Sequence, residues 1–236
     1  MPFASLVLTI AGAALLALAA PGLHAGDKDQ LPSQFSKEQK DNLLRFLQQH
    51  EKPDRYIPAG AKIVSSQPVP TNTKVESPPV KTIKQYMVQI TPHRPVPGQE
   101  EVQRADVVYY RPNPEKGKPG ITVRHTVDLA TGNQVGPTEV LFNSHTPISH
   151  EELAEAVDLA RQKTPVIEEL YKQREKSNVR WEYLQLMINR KHGANEPGDR
   201  VVRLVFTASA IKDQAEPMPT RVIVNLTKGT VTSDDR

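Results

Sequence analysis

The chain has 236 residues, with 30 basic and 27 acidic side chains, a net charge of +3, no Cys and 5% aromatic residues. A charge balance this even, with no Lys/Arg cluster interleaved with aromatics, argues against nucleic-acid binding, and the missing Cys excludes disulfides and lipidation at a thiol. Few aromatics beside 21 prolines predict modest cores joined by stiff connections rather than one large enzyme core.

Positions 1–25 carry no Asp, Glu, Lys or Arg, and an apolar run from Leu6 to Leu18 ends at Pro21-Gly22. That run is shorter than the ~20 residues a spanning helix needs. With Leu23-His24-Ala25 at the cleavage spacing, it reads as a secretory signal peptide. The expectation is a secreted or periplasmic protein that starts at Gly26 and keeps no membrane span after cleavage.

The mature chain divides into two units, at 26–143 and 144–236. In the first, Ser36 and Gln39 form a capping-box pattern before Leu43, Leu44, Phe46 and Leu47, which predicts a helix over 37–49, stopped by Pro53. The insert at 57–80 holds Pro58, Pro68, Pro70, Pro78 and Pro79 and reads as an extended connector with a short edge strand at 61–65. Alternating segments at 82–91, 103–111 and 121–129 predict strands, and 139–142 adds a shorter one. The Pro- and Gly-rich stretch 112–120 is a turn region.

The second unit opens the same way. Ser149 and Glu152 form a capping box, and Leu153, Ala156, Val157 and Ala160 follow at helical spacing, predicting a helix over 150–162. Pro165 starts a further turn or two, and strands follow at 179–190, 200–208 and 220–226, with Lys228-Gly229 as the closing turn. The halves share more than order. Val127-Asp128-Leu129-Ala130-Thr131-Gly132 aligns with Val224-Asn225-Leu226-Thr227-Lys228-Gly229, and Val107-Val108 aligns with Val201-Val202. Each unit is expected to bury one face of an antiparallel sheet under an amphipathic helix, an α+β fold.

Residues 145–231 resemble the small accessory domains that precede the catalytic region of copper amine oxidases. The resemblance rests on the segment from His145 to Ala160 and on the paired Val-Val and Val-Asp-Leu…Gly strands. It implies two tandem cystatin-like units, each with one helix on a three- to four-stranded antiparallel sheet. It does not imply amine oxidation, because the chain has no Asn followed by Tyr to form the quinone cofactor and no His-x-His copper pair. No cofactor is expected, and the chain is read as a non-catalytic binding module whose partner is another envelope or secreted protein.

Few residues stand out as candidates for chemistry. His125 lies on the apolar face of its strand, so core packing competes with a ligand pocket. An enzymatic reading would pair it with Asp106 or Asp128. Tyr109, Trp181 and Tyr183, with Tyr110, form the aromatic set that core or pocket would use. His145 and His150 flank a helix start, where Glu151 or Glu152 would be the only added ligands, and no metal site is assigned to them. Glu151, Glu152, Glu155 and Asp158 read as a solvated helix face. A cystatin or propeptide-like protease inhibitor is the alternative binding function, with the wedge at 132–136. Nucleophile elbows, phosphate loops and dinucleotide fingerprints are missing.

Overall fold

The computed structural model describes residues 31–64, 83–94, 102–142, 144–173, 179–188, 191, 193–208 and 218–234. The proposed signal segment and most of the Pro-rich insert therefore lie outside the described residues. Among those described, three helices and two separate sheets give an α+β fold.

Helix α1 (Lys37–His50) starts at the expected capping box, with the Ser36 side chain accepting from the Gln39 backbone and the Gln39 side chain accepting from Ser36 N. Its buried face carries Leu43, Leu44, Phe46 and Leu47. Two polar side chains on the same helix tie it to the sheet beneath. Gln39 Nε2 donates to Val102 O, and Asn42 Nδ2 donates to Leu129 O and Ala130 O. The first sheet contains β1 (Lys62–Val64), β2 (Tyr86–Pro92), β3 (Arg104–Arg111), β4 (Ile121–Asp128) and β5 (Glu139–Phe142), in the order β1-β5-β4-β3-β2. Strands β2 to β5 form an antiparallel meander, whereas β1 pairs with β5 in parallel. Val107, Tyr109, Val123, Val127 and Leu129 meet the leucines of α1 in one core.

The second sheet, β6 (Val179–Leu186), β7 (Val201–Ala208), β8 (Thr220–Asn225) and β9 (Thr230–Ser233), is antiparallel throughout. Helix α2 (His150–Lys163) begins at the second full capping box, and α3 (Pro165–Gln173) follows it directly. Leu153, Ala156 and Ala160 of α2 and Ile167 of α3 pack on Val202, Leu204, Phe206, Val222 and Val224. No residue belongs to both cores. Each fully buried aliphatic side chain contributes roughly 1.5–3 kcal/mol, and most of the largest of these, Val107, Ile121, Val123, Val127, Val140 and Leu204, lie on the strands that the helices cover.

The structure departs from the expected arrangement in three places. Strand β2 carries a bulge between Met87 and Gln89, so Met87 and Ile90 both face the first core, opposite Tyr109 and Val107. Thr230–Ser233 forms a fourth strand after the turn that the sequence reading placed at the end. Its single apolar residue, Val231, lies opposite Val224. The first sheet also exceeds the expected three or four strands through the parallel addition of β1.

Candidate functional site

The two units meet on the outer face of the first sheet. Alternation along β3 sends Tyr109 inward and Tyr110 outward, and Tyr110 lies opposite Tyr86 of β2. The Tyr110 hydroxyl accepts from Gly120 N at 3.2 Å. A Cβ at Gly120 would lie 2.3 Å from Arg111 O and 2.6 Å from the Tyr110 hydroxyl, so only glycine lets the β3–β4 loop close over that ring.

Arg200 and Glu152 of the second unit lie against the same ring. The guanidinium carbon sits 4.2 Å from the Tyr110 centroid. Arg200 Nε donates to Glu152 Oε1 at 2.9 Å and Nη2 donates to Glu152 Oε2 at 2.6 Å, a bidentate pair with both side chains under 5% exposed. Nη1 donates to Thr146 O at 2.6 Å and Nη2 to Pro147 O at 2.8 Å. Glu152 also accepts from Ser149 N as the capping partner of α2. The expected solvated face is therefore corrected at this position: Glu152 is 2% exposed and binds an arginine on the far side of the sequence. Glu155, one helical turn on, accepts from the Tyr86 hydroxyl at 2.8 Å and pairs with Lys84. Gly117 N donates to Thr227 O at 3.2 Å and completes the contact.

Burial pushes the Tyr110 phenol up to about 12, with the Arg200 charge opposing the rise. Burial, followed by the hydrogen bond to Glu155, drives Tyr86 up as well. Both phenols are thus neutral donors and acceptors at neutral pH. Above them opens a groove of about 260 Å³, rimmed by Lys84, Lys116 and Lys118 and floored by Tyr86, Tyr110 and Arg200. Lys84 and Lys118 each touch a glutamate, while Lys116 has no ionic partner among the described residues. A broader depression of about 570 Å³ lies between α2 and α3, lined by charged side chains of which the half-buried Arg161 and Glu168 pair with each other at 3.2 Å.

The residues singled out from sequence do not converge. His125 and Tyr109 belong to the first unit, where their rings meet edge to face at 5.8 Å. Trp181 and Tyr183 pack half-buried against the second core. His125 is 3% exposed and ringed by Phe46, His50 and Tyr109. Gln134 spends its amide hydrogens on Gly136 O and Thr138 Oγ1, which turns its Oε1 to the His125 ring at 2.9 Å. Nδ1 also lies 3.2 Å from Thr138 Oγ1. Nε2 has no partner among the described residues, and neither does the buried hydroxyl of Tyr109. Burial lowers the His125 pKa to about 4, so the ring is neutral at neutral pH.

The acidic partners proposed for His125 lie elsewhere. Asp106, on the opposite face of the sheet, binds Thr126 and His93. Asp128 holds the turn after β4 through Ala130 N and Thr131 N. His145 and His150 are exposed around the start of α2, and no three metal-ligating side chains converge among the described residues. The 132–136 segment turns back on the sheet rather than projecting, with Gln134 against His125 and Val135 N donating to Thr126 O.

Among the described residues no helix is long and apolar enough to cross a membrane. No protein-family model matches the sequence, and no curated protein matches it. The groove is missed from sequence because its floor joins Arg200, just before β7, to Glu152, read as a cap and as part of a solvated helix face. The one legible signal was the pair of lysines in the 112–120 turn.

Proposed function

We propose that the chain is an exported, non-catalytic binding module, organised like the cystatin-like accessory domains of copper amine oxidases, whose partner is another secreted or envelope protein. The partner presents an acidic segment to the groove between the two units. The observation that carries this reading is the groove itself: a rim of three lysines, two of them paired with Glu155 and Glu115, over a hydrogen-bonded tyrosine–arginine floor. Arg200 spends its hydrogen-bonding capacity inside the protein, so it sets the floor and the lysines supply the attraction. An acidic chain lying over Tyr86 and Tyr110 would gain ionic contacts at the rim and apolar contact below.

The test is binding of a fluorescent glutamate-rich peptide, followed by anisotropy at low and moderate salt. Saturable, salt-sensitive binding that K84E/K116E/K118E abolishes supports the reading. Equal binding by wild type and by that variant, with unchanged thermal unfolding, refutes it. The same variant then serves in retrieval of partners from the envelope fraction.

A further inference from the structure

The four sheet edges are not alike. In the first sheet, β1 is three residues long and β2 is bulged and ends in Pro92. In the second, β9 has four residues, of which only Val231 is apolar. Short, bulged or proline-bearing edges resist pairing with another chain. Strand β6 differs from all three. It runs eight residues without a bulge or proline, pairs only with β7 among the described residues, and leaves Leu184 55% and the following Met187 66% exposed.

The charges on this edge choose a partner. Arg180 and Glu182 are exposed on the outer face of β6, and neither has an ionic partner among the described residues. In an antiparallel pairing of two copies of β6, three registers about neighbouring centres can be compared. A two-fold axis at Glu182 sets that carboxylate against itself. An axis at Tyr183 sets Arg180 against Leu186 and Glu182 against Leu184. An axis at Trp181 sets Arg180 of each copy against Glu182 of the other, twice by symmetry. It also sets Val179 against Tyr183, and Trp181 against its own copy.

We propose that the β6 edge is a homodimer interface, in which two copies of the chain pair antiparallel about Trp181 and join their four-stranded sheets into one. This surface is distinct from the lysine-rimmed groove and does not depend on it. Within the overlap Val179–Tyr183 the outward-facing donors and acceptors of each copy are satisfied by the other, and the two Arg180–Glu182 pairs fix the register.

Trp181 is the chain's one tryptophan, which makes the axis directly visible. Sedimentation velocity of the native protein over a dilution series is expected to show a dimer that dissociates on dilution. An exciton couplet between the two indoles should fade with it. Arg180→Glu and Glu182→Arg each place like charges across the interface and should weaken dimerisation about tenfold or more. The double variant R180E/E182R reverses both pairs and should restore it. Circular dichroism and thermal unfolding confirm that each variant is folded. A monomer at every concentration overturns the proposal and leaves the edge to a different partner. Single variants that dimerise like the wild type, or a folded double variant that stays monomeric, overturn the register and the proposal with it.

Discussion

Among the polar groups that each unit buries, two are handled differently. In the second unit Arg200 and Glu152 enter as full charges, and every part of the pair is satisfied, by the partner, by two backbone carbonyls and by the helix cap. In the first unit His125 enters as a neutral ring with one nitrogen bonded and the other without a partner among the described residues. Buried charge is tolerable when geometry is complete, whereas a neutral group with half its bonds made carries a standing penalty. The Arg200–Glu152 pair is therefore more sensitive to losing a partner, and His125 more sensitive to gaining a proton.

The largest effect should come from breaking the ion pair. Arg200→Ala leaves Glu152 buried and uncompensated, and denaturant unfolding should show a loss of about 3–5 kcal/mol. Replacing both partners by apolar side chains, R200M/E152L, should recover most of that loss. If the single and double variants are equally damaged, the arginine acts through its backbone-carbonyl contacts rather than through the pair.

The next effect depends on pH. The unfolded imidazole takes up a proton below about 6.5, whereas folded His125 does so only near 4. Stability should therefore rise with pH between those limits, by on the order of 3 kcal/mol at most. The groups facing the ring are His50 from α1 and Tyr109 and Arg111 from β3. Subtracting the urea-midpoint profile of His125→Gln from that of the wild type isolates the contribution. A flat difference across the window would remove it.

Two matching turn glycines offer a smaller and more direct contrast between the units. Gly132 (φ 73°) and Gly229 (φ 63°) close equivalent strand ends. A Cβ at Gly132 would lie 2.8 Å from the Asn42 backbone oxygen, while at Gly229 the nearest atom is the flexible Lys116 Cε at 3.6 Å. Gly229→Ala should cost about 1 kcal/mol from backbone strain alone. Gly132→Ala should cost at least about 1 kcal/mol more, because α1 must move. Equal melting-temperature shifts would mean that the helix gives way freely.

The smallest effect concerns the junction. Tyr86→Phe removes one hydrogen bond to Glu155 and should cost about 1 kcal/mol. A double-mutant cycle with Glu155→Gln should assign that cost to coupling between the units.

What the sequence revealed followed from local rules. Both capping boxes, both leucine- or alanine-bearing helix faces and the strands of each meander were legible because caps and periodicity act within a few residues. The bulge at Met87 and Gln89 was not, since an extra residue in a strand has no local mark when its neighbours still look alternating. Strand β9 was missed because Thr-Val-Thr-Ser offers one apolar side chain and relies on pairing with β8. The groove was the least legible feature, because Glu152 announces itself as a cap and only the folded chain brings Arg200 and Tyr110 to it.

Strand β1 gives the first unit a different folding schedule from the second. In both meanders every strand pairs with the one made just before it, so pairing can follow the chain as it emerges. Lys62 must instead wait for Glu139, across the whole of the intervening meander. Closing so long a loop slows folding more than it changes stability. The first sheet is thus completed backwards, its earliest strand added last, after β5 has created the edge that receives it.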